Sequence, residues 1–162
     1  MLLPVRGCVI GTSKTRKNSV LMLNGVISGK LANLDVILAE LESTRPLTSE
    51  ALEESWQLRK AVERNIQLAV EILLDICHRL IALDGRAPTP TSRGAVEAVV
   101  QMGILRSPDP YKQMVGMRNI LVHRYEFVDP EKLKDIVNEH LDDFHQFKKE
   151  VLRYARDQAD TD

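Results

Sequence analysis

Residues 61–83, AVERNIQLAVEILLDICHRLIAL, carry two apolar stripes at helical spacing. Val62, Ile66, Ala69, Val70, Leu73, Cys77 and Leu80 form the first, and Leu68, Ile72, Ile76 and Leu83 form the second beside it. A helix on the outside of a bundle needs one apolar stripe, because its opposite face meets water. Two stripes make this helix central to a bundle or place one of its faces against another subunit. The spacing predicts a helix from Thr48 or Ser49, either of which can cap it, to about Leu83, where Asp84-Gly85 stops it.

Outward from this segment the pattern stays helical. Val26, Leu31, Leu34, Ile37, Leu38 and Leu41 recur every three or four residues, and Ser43-Thr44-Arg45-Pro46 breaks the run. After a Pro-rich loop around Pro88 and Pro90, a short helix is predicted from about Thr91 or Ser92 to Leu105. Asp109-Pro110 opens a fourth helix and Asp129-Pro130 a fifth, since proline in the first turn forfeits no needed N–H. The fifth runs to about Arg156, with Leu133, Val137, Leu141, Phe144, Val151 and Leu152 as its apolar stripe. No strand-length alternation occurs. The expected architecture is all-α, a bundle of four to five helices, homodimeric through the long central helix.

The chain has 162 residues, one domain's worth, and this size buries enough surface to need no disulfide or metal. The net charge is -1, so any nucleic-acid contact has to come from a local patch. Cys8 and Cys77 form no C-x-x-C pair, which excludes a disulfide framework and a four-cysteine zinc site. No apolar run is long enough to span a bilayer, and the opening MLLPVRGCVI is broken too early for a secretory signal, so a cytoplasmic, membrane-free protein is expected. Residues 1–21 carry Arg6, Lys14, Arg16 and Lys17 without an acid or a helical period. They read as a basic leader or disordered tail ahead of a single domain over 22–162. GCVIGTSKT fails as a phosphate loop, because its glycines are too close and none directly precedes Lys14.

The fourth helix concentrates polar groups: Arg118, Asn119, His123 and Tyr125 fall within eight positions. Asn119 and His123 are one turn apart on one face, and Arg118 and Tyr125 share another face two turns apart. An imidazole exchanges protons at neutral pH. A guanidinium stabilises the charge of a phosphorane-like transition state. An amide orients either partner. Together these groups suit RNA cleavage without a metal, in which the 2′-hydroxyl attacks its own phosphate. From the residues alone, a solvated helix end with capping side chains is the more usual explanation of the same four residues.

The string Arg118-Asn119-x3-His123-x-Tyr125, in the context MVGMRNILVHRYEFVDPEKL, resembles the signature of the HEPN ribonucleases and, with its tyrosine, that of the HepT-like toxins. The 61–83 segment, the Pro-rich loop and the last helix are similar too, from about Met22 to the C-terminus. The resemblance implies a homodimeric HEPN bundle whose two subunits line one cleft with Arg118 and His123. It implies metal-independent endoribonuclease activity with no cofactor, acting on RNA as the toxin of a toxin–antitoxin pair. It also implies an MntA-like nucleotidyltransferase partner that silences the toxin by moving AMP onto Tyr125. Arg124 adds positive charge suited to RNA.

Asp75 is a candidate for orienting His123 or Arg118, against a simple helical pair with Arg79. Arg64-Asn65 repeats the Arg-Asn pair without a following histidine and reads as surface or interface. His78 lacks a companion ligand, and His140 and His145 are spaced wrongly for one metal site, so no metal is expected. Trp56 is expected to anchor helix packing, and Tyr111 and Tyr154 carry no functional signal. A rival reading makes the chain a non-catalytic docking subunit for a nucleotidyltransferase, and another a plain dimeric scaffold.

Overall fold

The computed structural model describes the backbone of residues 12–123 and 128–160, and side chains from residue 25 onward within those limits. Its elements are α1 (Thr12–Glu42), α2 (Ser49–Glu54), α3 (Trp56–Leu83), α4 (Ser92–Gln101), α5 (Tyr111–His123), α6 (Pro130–Glu139) and α7 (Leu141–Asp160). No strand occurs among the described residues. The all-α class expected from periodicity is therefore observed, but with seven helices among the described residues in place of four to five.

Two expected helices are each divided. Ser55 adopts an extended backbone, and its hydroxyl accepts from the Leu58 N–H, so it closes α2 and caps α3. The Thr48 side chain caps α2 by accepting from Ala51 N. His140 leaves the helical region and separates α6 from α7, and α7 opens with Asp142 and Asp143 in its first turn, where carboxylates favour the helix dipole. Periodicity cannot detect such breaks, because the apolar stripe resumes on the same side. The helix ending at Leu83 closes as expected. Gly85 takes φ +72, while Arg86 N donates to Ile81 O and Gly85 N to Ala82 O, the paired bonds of a Schellman motif. Gly103, at φ +74, ends α4 the same way, with Ile104 N on Val99 O and Gly103 N on Val100 O. This stops α4 at Gln101, short of the expected Leu105. α1 begins at Thr12, so its helical backbone runs through the 21/22 boundary.

α3 is the central element, packing against α1, α2, α4, α5 and α6, while α7 packs on α1 and α6. Its first stripe and Ile76 are buried, Leu68 and Ile72 are half-buried, and Leu83 is exposed. The centre of the second stripe thus faces core and its edge faces outward. In α7 the apolar face includes Phe147, not Leu152, which lies at the surface. Trp56 also departs from expectation. It is 68% exposed, because it is the first residue of α3 and projects beyond the core. Leu73→Ala should cost about 2–5 kcal/mol through transfer and cavity terms, and Trp56→Ala under about 0.5 kcal/mol. Urea unfolding of the two variants checks this contrast.

Candidate active site

α5 opens on backbone acceptors: Lys112 N donates to Pro108 O and Met114 N to Pro110 O. Tyr111 and Val115 are buried, and Met114, Met117 and Leu121 are half-buried against the core, which seats the helix on α3 and α4. This seating fixes the direction of the polar residues. Arg118 turns toward α3 and is half-buried, whereas Asn119 and His123 face outward.

The guanidinium of Arg118 is held from two sides. Its Nη2 lies 3.3 Å from Glu71 Oε1, and its Nη1 lies 3.5 Å from Asn119 Oδ1. Gln67 Nε2 donates to the same Glu71 oxygen at 3.0 Å, one turn back along α3. Arg118 Nε is buried and has no hydrogen-bond partner among the described residues. The acid beside the motif arginine is therefore Glu71 and not Asp75. Asp75 lies one turn further along α3, where Lys30 of α1 takes it at 2.7 Å. Among the described residues it makes no hydrogen bond or ion pair with Arg118, His123 or Arg79. Helical spacing places Glu71 and Asp75 on one face. Only the height of α5 against α3, and the presence of α1, decide which of them meets the arginine.

His123 ends α5 in solvent, and no hydrogen bond joins it to Arg118 or Asn119 among the described residues. Arg118 and Asn119 are thus brought together, and His123 stands exposed on the face it shares with Asn119. Arg124 and Tyr125 lie outside the described residues. The buried carbonyl of Val128 accepts from the Nη2 of Arg59. Arg59 is itself buried, and Glu63 Oε1 lies 3.0 Å from its Nε, offsetting the cost of burying the charge. Asp129 then caps α6 by accepting from Glu131 N, with Pro130 following as expected. Glu71 and Arg59 were missed by sequence reasoning. Their only sequence signals are the i,i+4 pairs Gln67–Glu71 and Arg59–Glu63, which are common on any helix.

Several other reactive groups are buried or paired. Burial pushes the Cys77 thiol up to about 12, which suppresses the thiolate a nucleophile needs. Tyr111 is buried with its hydroxyl 3.3 Å from Glu150, and burial first, then that carboxylate, raise its phenol above the usual range. His145 pairs with Glu42 at 2.7 Å and His140 with Asp143 at 3.3 Å. Asn65 reaches Glu40 at 2.9 Å while Arg64 is exposed, as a surface Arg-Asn pair should be. No cluster of three or more potential metal ligands occurs among the described residues. A cleft of about 240 Å³ opens between α5 and α6 over Ile66, Val70, Met117, Ile136 and Phe144, but it contains none of the motif residues. No helix among the described residues is long and apolar enough to cross a membrane.

A family profile described as Ribonuclease HepT-like matches residues 34–151. The mRNA nuclease HepT of Shewanella oneidensis is 27% identical over 127 residues, covering 77% of this chain and 95% of the relative. A tri-AMPylated HEPN toxin of Shewanella oneidensis in complex with MNT antitoxin superposes with a TM-score of 0.73 at 24% identity, covering 79% of this chain and 97% of that one. A toxin–antitoxin structure with AMP-PNP gives a TM-score of 0.74 at 23% identity, covering 80% and 99%. At that identity these two structures speak for the fold.

Proposed function

The chain belongs to the HepT-like ribonuclease family, and on that footing we propose that it is the RNA-cleaving toxin of a toxin–antitoxin pair, working without a metal and silenced by a nucleotidyltransferase. The observation that carries the reading is Arg118. It lies within the family match and is pinned by Glu71 and Asn119 on the helix that ends at His123. A guanidinium held in place before substrate arrives loses less freedom when a phosphate binds it.

In the proposed reaction His123 accepts the proton of the ribose 2′-hydroxyl. The 2′-oxygen bonds to the adjacent phosphorus, the bond from phosphorus to the 5′-oxygen breaks, and that oxygen leaves with a proton from water, while His123 returns its own proton to solvent. Arg118 stabilises the charge on the pentacoordinate phosphorus, and Asn119 orients the phosphate or the guanidinium. The products are a 2′,3′-cyclic phosphate and a 5′-hydroxyl. His123→Ala should lower cleavage of total RNA in EDTA by about 10²–10⁴-fold, and Arg118→Ala by about 10²–10³-fold, with helical content retained. Glu71→Gln should lower it by about tenfold or more, through a misplaced guanidinium. Equal cleavage by wild type and His123→Ala would end the proposal.

Two protomers are proposed to share the cleft. Supporting this, Leu68 and Ile72 on α3 and Val122 on α5 leave apolar surface beside Glu71, Arg118 and His123. A single protomer does not bond its own imidazole to its own guanidinium. Sedimentation at micromolar concentration should give twice the 18.3 kDa chain mass, and Leu68→Glu with Val122→Glu should yield monomer with depressed cleavage. A wild-type monomer would remove the shared cleft.

The partner is proposed to be an MntA-like nucleotidyltransferase. The likeness to a toxin solved with an MNT antitoxin supports this. The phenol oxygen of Tyr125 would attack the α-phosphorus of ATP, losing its proton and releasing pyrophosphate. The attached phosphate places a negative charge near Arg118 and His123, where it competes with the substrate. Tyr125→Phe should cleave RNA yet gain no AMP mass with ATP and the partner enzyme. AMP addition persisting in that variant would move the acceptor elsewhere.

A further inference from the structure

α4 and α5 cross in a register that leaves one arginine unpaired over the reactive face. Glu97 of α4 binds Lys112 of α5 at 2.5 Å. One turn back on α4 is Arg93, and one turn forward on α5 is Gly116. The Nη2 of Arg93 lies 3.1 Å from where a Cβ on Gly116 would sit. The absent side chain at 116 thus forms the seat in which the guanidinium rests. Glu97, the acid one turn along on its own helix, is already occupied by Lys112. Arg93 is exposed and has no hydrogen-bond or ion-pair partner among the described residues.

The position of this seat gives it meaning. Asn119 and His123 follow Gly116 by three and seven residues, so all three lie along one side of α5. Seven residues at the helical rise place the seat about 10 Å from His123 along the axis. Measured from His123, this spacing suits a phosphate of the same strand next to the one that the imidazole acts on.

We infer that Arg93, seated on Gly116, binds a phosphodiester flanking the cleaved one, and so makes the site favour RNA longer than a dinucleotide. The inference rests on the ribonuclease reading above. Its chemistry is that of a charged, sequence-independent backbone contact, which shifts affinity and its salt dependence more than the chemical step.

The experiment uses the full chain with an oligoribonucleotide for cleavage and its 2′-O-methyl counterpart, which lacks the nucleophile, for binding. Arg93→Ala should weaken binding of the 2′-O-methyl RNA about five- to twentyfold and reduce the slope of log K against log salt by about 0.7. It should raise KM with kcat within twofold, and Arg93→Lys should restore most of the affinity. Thermal melting checks that the variant is folded. Unchanged affinity and salt slope would overturn the proposal, as would a fall in kcat at unchanged KM. The ribonuclease reading is tested separately, by wild type against His123→Ala. The binding arm needs no cleavage, so the two ideas fail independently.

Discussion

Burying α3 on most of its circumference is the constraint on which the rest depends. Residues such as Leu73, Ile76 and Ala69 are wholly excluded from water. Each large aliphatic side chain so placed contributes roughly 1.5–3 kcal/mol relative to exposure. Covering one face would leave the second stripe in solvent, so α1, α2, α4, α5 and α6 are arranged around α3. The polar residues that α3 carries are thereby delivered to fixed places. Arg59 reaches Val128 where the chain enters α6, Glu71 reaches Arg118, and Asp75 reaches Lys30.

The candidate site follows from this packing. α5 is an unremarkable amphipathic helix in its own sequence, and its orientation comes from the surfaces of α3 and α4. Once Tyr111 and Val115 are buried, Arg118 is turned inward against Glu71 and His123 is left outside. The same contact with α4 sets Lys112 on Glu97 and Arg93 on Gly116. The packing of α5 therefore places both the cation of the motif and Arg93, upstream of it. The motif arginine is half-buried and ionically engaged with Glu71.

The errors of the sequence reading share a cause. Trp56 was expected to anchor packing because large aromatics usually bury their surface, yet the Ser55 cap puts it at the first position of α3 and out of the core. Ser55 and His140 divide helices whose apolar period continues undisturbed across the break. Asp75 and Glu71 are equivalent by periodicity. In each case a one-dimensional pattern reports which face a residue occupies, and not its height along the axis or what stands opposite.

Readable in the residues before any packing were the all-α class, the centrality of the 61–83 segment, the terminations at Glu42 and Gly85, the Asp129-Pro130 start, and an arginine, an asparagine and a histidine within two turns. These depend on local propensity and period, which neighbouring residues encode directly. The tertiary structure alone decided that Glu71 meets Arg118, that Lys30 removes Asp75, that Arg59 anchors Val128, and that Arg93 lies over Gly116. Those contacts join residues 23 to 69 positions apart. Their register is set by how several helices fill one core at once, a condition that no single segment contains.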